Sequence, residues 1–150
     1  MNNNSNFNRQ LKDIEFGNYY EQRVLKWLNR NDFSGNILNL YKNPYNVMDM
    51  ISENQKHIIE LKTRRIKHDK YEDMMIGLNK IEEAEKNPQY KYHMYFLCED
   101  GLYGWTYTPN KNYLIKMGGR NDRGKDERKL CAFLPTEDLC LITTDINSIS

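Results

Sequence analysis

Between Phe16 and Arg30 the apolar residues Phe16, Tyr20, Val24, Trp27 and Leu28 recur at helical spacing, and Leu25 widens the stripe, which predicts a first helix. Ahead of it, residues 1–10 are polar and asparagine-rich, a composition that buries too little surface to order itself. They are expected to form a flexible tail before a single domain over 11–150. Gly35 and Asn36 then open a strand over Ile37–Tyr41, and Pro44 separates it from a second strand over Asn46–Ile51. A third follows in Lys56–Lys62 after the polar turn Ser52-Glu53-Asn54-Gln55, giving a three-strand meander. Farther on, Asp69 is placed to cap a helix, with Glu72 reaching back to it. Tyr71, Met74, Met75, Leu78 and Ile81 would form its apolar face, and Asn87-Pro88 would stop it.

The run Tyr90–Cys98 condenses into Met94-Tyr95-Phe96-Leu97, the pattern of a strand buried on both faces. Glu99-Asp100-Gly101 turns it into an aromatic partner, Leu102–Tyr107. Tyr113–Lys116 and Leu130–Leu134 flank a glycine-rich basic loop. Leu139–Ile142 is expected to pack on the core and Thr143–Ser150 to fray. The order helix, three strands, helix, strand predicts an α/β fold with a mixed central sheet flanked by helices.

The polar residues inside the apolar hairpin carry the chemistry. Alternation along a strand puts Glu60 and Lys62 on one face and Ile59 and Leu61 on the other. With a turn centred on Glu53-Asn54, Asp49 would stand opposite Ile58 and diagonal to Glu60, roughly 5–8 Å away between Cβ atoms. Two carboxylates that close repel unless a cation lies between them. A hard divalent ion such as Mg²⁺ suits oxygen donors of this kind. On the first helix, Glu21 precedes Val24, Leu25 and Leu28 by three, four and seven residues, so it points to the core side and needs a partner there. Either a metal or a salt bridge to Lys62 or to an arginine would supply one; Glu15 is a poorer candidate.

Charge adds a second theme. The net charge is only +1, but its distribution is uneven. Residues 62–70 hold five cations (Lys62, Arg64, Arg65, Lys67 and Lys70) against the single acid Asp69. Residues 111–129 hold seven, among them Arg120, Arg123, Lys125 and Arg128, against three acids. A near-neutral protein can therefore present a basic face to a phosphate backbone. The loop at 118–125 also offers glycines that let backbone N–H groups approach phosphate, although a solvated surface turn would read the same way. It lacks the Gly-Lys-Ser/Thr ending of a nucleotide-binding loop, so no nucleotide cofactor is expected. Cys98, Cys131 and Cys140 form no CxxC pair and match no zinc spacing with His57, His68 or His93, which predicts reduced, mostly buried thiols. No apolar run reaches the roughly 20 residues that span a bilayer, and no secretion-type leader is recognisable, so an intracellular (cytoplasmic or nuclear) protein without a membrane partner is expected. Abundant asparagine, lysine, isoleucine and tyrosine fit an AT-rich source such as a virus, phage or microbe.

Asp49, Glu60 and Lys62, with an acidic helix before them, resemble the PD-(D/E)XK nuclease superfamily, the fold of restriction endonucleases and Holliday junction resolvases. The resemblance covers residues 14–98; Met48, not proline, precedes Asp49. It implies a restriction endonuclease-like core and a metal-dependent DNA endonuclease acting in recombination, repair or restriction. One or two Mg²⁺ ions, replaceable by Mn²⁺, would be held by Asp49, Glu60, the main-chain carbonyl of Leu61 and Glu21. Lys62 would assist hydrolysis that leaves a 5′ phosphate, as base or as a charged group; both roles stay open. Arg64, Arg65, Lys67, Arg120, Arg123, Lys125 and Arg128 would contact DNA, and a homodimer would nick both strands. Two rivals stand beside this reading. One is a non-cleaving nucleic-acid-binding module of the same fold. The other is an interaction protein whose Glu60 and Lys62 merely face solvent on an edge strand.

Overall fold

The computed structural model describes residues 3–109, 111–119 and 128–149. A long helix, α1 (Asn3–Arg30), is followed by the meander β1 (Leu38–Leu40), β2 (Met50–Ser52) and β3 (His57–Thr63). Then come β4 (Asp73–Gly77), α2 (Leu78–Lys86), the hairpin β5 (Lys91–Cys98) and β6 (Gly101–Thr106), then β7 (Leu114–Gly118), β8 (Lys129–Pro135) and β9 (Cys140–Thr143). Six strands make a mixed sheet in the order β1-β2-β3-β5-β6-β9, and β4-β8-β7 make a separate antiparallel sheet. Among the described residues, β3 and β5 are the one parallel pair of the large sheet. The α/β class and the restriction endonuclease-like core are thus present. Among the described residues no helix is long and apolar enough to cross a membrane.

The large sheet is covered on both faces. Val24, Trp27 and Leu28 of α1 pack on Leu38, Met50, Ile59, Leu61 and Leu97. The other face meets α2 and the small sheet through Ile58, Met74, Ile76, Ile81, Met94, Phe96 and Leu134. Asn29 ties α1 to the meander: its amide donates to the Leu38 carbonyl at 3.0 Å and its oxygen accepts the Leu38 N–H at 2.7 Å. Cys98 and Cys131 are buried free thiols, and Cys140 is an exposed one.

Four expectations are corrected. The first helix begins at Asn3, well before Phe16, and Leu11 and Ile14 in its first half are exposed. The helix expected from Asp69 is a strand followed by a shorter helix. Met74 and Ile76 alternate inward along β4 and pair with Leu134 and Ala132 of β8, so Asp69 caps no helix. The carboxy-terminal residues do not all fray, because Ile149 is buried against the α1 cluster.

The fourth correction is the hairpin register. Met50 pairs with Ile59 and Ile51 with Ile58, which sets Asp49 opposite Glu60 instead of Ile58. The connection is a wider loop over Glu53–Lys56, closed by its own side chains. Ser52 Oγ donates to Asn54 Oδ1 at 2.7 Å, and that oxygen accepts the Lys56 N–H at 3.1 Å. Gln55 takes a left-handed φ of 57°. The slip amounts to two residues, so every side chain keeps its face and the two acids come closer together.

Candidate active site

β3 lies between β2 and β5, inside the sheet, so the edge-strand rival does not hold. Glu60 is only 3% exposed in a strand whose neighbours Ile58, Ile59 and Leu61 are also buried. A carboxylate sealed in this way needs compensation. Two ammonium groups provide it on one oxygen: Glu60 Oε1 lies 3.0 Å from Lys62 Nζ and 3.1 Å from Lys80 Nζ. The other oxygen, Oε2, is buried and has no hydrogen-bond partner. Lys80, on α2 and itself buried, also donates to the Val47 carbonyl two residues before Asp49.

Asp49 Oδ2 accepts the N–H of Leu61 at 2.8 Å, which locks the aspartate across the strand from Glu60. Its carboxyl is pushed up to about 7, first by burial and then by the charge of Glu60; the Leu61 N–H opposes the rise and Glu21 adds to it. Glu21 is raised as well, by burial and by Glu60. The charge of Glu60 thus reaches both other acids, which stand on α1 and on the segment just before β2. Glu21, Leu61 and Lys62 line one cleft of about 690 Å³, with Arg9, Lys12, Asn18, Arg64 and Arg65 around it.

The basic segment after β3 is firmly placed. Arg64 turns inward and donates to the Met75 carbonyl at 3.1 Å, tying β3 to β4. Arg65 lies 3.8 Å over the Phe16 ring and 3.7 Å from Asp13, both on α1. Lys67 is exposed. His68 closes the segment onto the β5–β6 turn: its ring meets Asp100 at 2.5 Å, its backbone N–H meets the same carboxylate at 2.9 Å, and it stacks on Tyr103. Of the cations expected in the later loop, Arg128 is exposed on the approach to β8, whereas Arg120, Arg123 and Lys125 lie outside the described residues.

Sequence reasoning missed three contributors: Lys80, Arg9 and Lys12. Lys80 carried a signal, because it stands next to Ile81 and four residues before Ala84, the two buried apolar positions of α2. Arg9 and Lys12 fell in or beside the segment read as a loose tail.

The donor set fits a divalent cation. Asp49 and Glu60 stand opposite each other, one buried Glu60 oxygen is unpartnered, and the Asp49 carboxyl, pushed up to about 7, carries a proton that a cation would displace. Glu21 is not gathered with them within ligand reach, and among the described residues the group of three that is so gathered is His68, Asp69 and Asp100. No curated protein and no solved structure matches this chain. Residues 21–139, which include Glu21, Asp49, Glu60, Lys62 and Lys80, match the family described as "Phage putative PDDEXK endonuclease". The match spans residues 21–139 of the 150, and the chain belongs to that family.

Proposed function

We propose that this protein is a metal-dependent DNA endonuclease that hydrolyses phosphodiester bonds with Mg²⁺, Mn²⁺ substituting, during phage DNA recombination, repair or restriction. The observation that carries the reading is the buried Glu60: one oxygen held by two lysines, the other unpartnered, and Asp49 directly opposite. Asp49, Glu60, the main-chain carbonyl of Leu61 and Glu21 would hold the ion. When bound, it supplies an acidified water and neutralises charge on the scissile phosphate.

The protein's own groups do the rest. Leu61 N–H holds one oxygen of Asp49, so the carboxyl is oriented before an ion binds and loses little side-chain freedom at binding. Lys62, whose side chain is 32% exposed, faces the cleft and can offset the charge that develops on the phosphate in the transition state. Arg9, Lys12 and Arg65 edge the cleft, and Lys67 and Arg128 extend the basic surface; phosphate contacts of this type set affinity and register. A homodimer would bring two such sites to a duplex and cut both strands.

Incubation of supercoiled plasmid, a linear duplex and a four-way junction with Mg²⁺ or Mn²⁺ tests the reading, with Glu60→Ala run alongside. Metal-dependent cutting that the variant loses supports it. DNA binding with no cutting of any substrate would make the protein a non-cleaving module of the same fold.

A further inference from the structure

Lys80 is a charged side chain only 8% exposed, held by two contacts that both belong to the acid site: the Glu60 carboxylate and the Val47 carbonyl on the segment that delivers Asp49. Like Asp49 and Glu60 it lies behind the cleft that Lys62 lines, and its ammonium is taken up by the Glu60 carboxylate and the Val47 carbonyl. Both lysines converge on the same oxygen, Glu60 Oε1, and leave Oε2 bare. Saturating one oxygen of a carboxylate has a definite consequence for the cations it will accept. Mg²⁺ takes single oxygens in a tight octahedron, whereas Ca²⁺ is larger and readily takes both oxygens of one carboxylate.

We infer that Lys80 is a positioning residue that sets metal selectivity: by occupying Glu60 Oε1 from behind, it presents Oε2 as a one-oxygen ligand and biases the site toward Mg²⁺ over Ca²⁺. Lys62 alone is a weaker guard of that oxygen, since its side chain is partly exposed and is needed on the cleft side. The second contact, donated to the Val47 carbonyl, holds the Lys80 ammonium beside Glu60. This inference rests on the metal site proposed above.

Titrating Mg²⁺ and Ca²⁺ into metal-free wild type, Lys80→Met and Lys80→Gln, followed by calorimetry or by the rise in melting temperature, separates the possibilities. The Ca²⁺-to-Mg²⁺ affinity ratio should rise severalfold in Lys80→Met, because Glu60 Oε1 is then guarded only by the partly exposed Lys62, whereas the amide of Lys80→Gln can still donate to that oxygen and should keep the ratio nearer wild type. A purely structural Lys80 would lower stability and weaken both ions alike; a ratio in Lys80→Met within about twofold of wild type overturns the inference. Wild type that binds neither ion overturns the metal site itself, and the two failures are thereby told apart. Should neither variant fold, the infrared carboxylate bands of wild type loaded with Mg²⁺ or Ca²⁺ decide, with Glu60→Gln assigning the Glu60 contribution. A one-oxygen signature at Glu60 is expected with Ca²⁺ as well as with Mg²⁺, and a two-oxygen signature with Ca²⁺ refutes it.

Discussion

Replacing Asp49 by asparagine should make the metal-free protein more stable at alkaline pH while removing its response to metal. In the folded chain burial and the charge of Glu60 hold the Asp49 carboxyl at about 7, against about 3.9 in an unfolded chain. A carboxyl raised by folding favours the fold while protonated. Its contribution is full below about pH 4 and is lost as pH climbs through 7. The gap of about three units corresponds to a ceiling of about 4 kcal/mol, and access of water to the cleft reduces it, so about 2–4 kcal/mol is at stake at pH 8. Asparagine escapes that cost. Its amide oxygen can keep the Leu61 N–H, and its NH₂ can donate to the Glu60 carboxylate that stands opposite. In a domain of this length the gain amounts to roughly 5–15 °C in melting temperature. Urea unfolding of both proteins in EDTA at pH 4.5, 6 and 8 measures it. The stabilisation should be largest at pH 8 and shrink toward zero at pH 4.5, and Mn²⁺ should raise the melting temperature of wild type alone. An Asp49→Asn variant that is less stable than wild type at pH 8, or equally stabilised at every pH, would refute the electrostatic account of the site.

Three further outcomes follow from particular contacts. Gly17 lies inside α1 where an added Cβ would meet nothing within 4 Å, so Gly17→Ala should stabilise the protein by about 1 kcal/mol, seen as a rise in the urea midpoint. Asn29→Ala breaks both hydrogen bonds to Leu38 and should cost about 2 kcal/mol in the same assay. His68→Ala unpins the basic segment from Asp100 and Tyr103; DNA affinity should fall several-fold, with metal-induced stabilisation unchanged, in a fluorescence-anisotropy titration with Ca²⁺.

Much of this architecture is legible in the chain because the hydrophobic signal there is local. Ile58-Ile59 and Leu61 around Glu60 mark a central strand with one charged position, and Met94–Leu97 mark its parallel neighbour. The face shared by Asp49, Glu60 and Lys62 survived an error in register, since a two-residue slip preserves the alternation. What stayed hidden depends on distant partners. Tyr71, Met74, Met75, Leu78 and Ile81 have helical spacing only because a strand ending at Gly77 abuts a helix starting at Leu78. The strand β4 exists through pairing with β8, more than fifty residues later. The loop at Glu53–Lys56 is set by Ser52 and Asn54 side chains, which outweigh the simple two-residue turn. Lys80 was obscured for the same reason as β4. Once α2 is taken to start at Leu78, the lysine falls on its buried side and its role as a counter-charge to Glu60 becomes visible.

The central claim is that Asp49, Glu60 and Lys62 perform metal-dependent hydrolysis of DNA, and the most direct test is the single-turnover cleavage rate of Lys62→Ala at saturating DNA beside its DNA affinity in Ca²⁺. The account predicts a rate lower by about a hundredfold or more, with affinity within a few-fold of wild type, because Lys62 acts on charge that develops in the transition state. Cleavage at the wild-type rate, or cleavage and binding lost together, would contradict it.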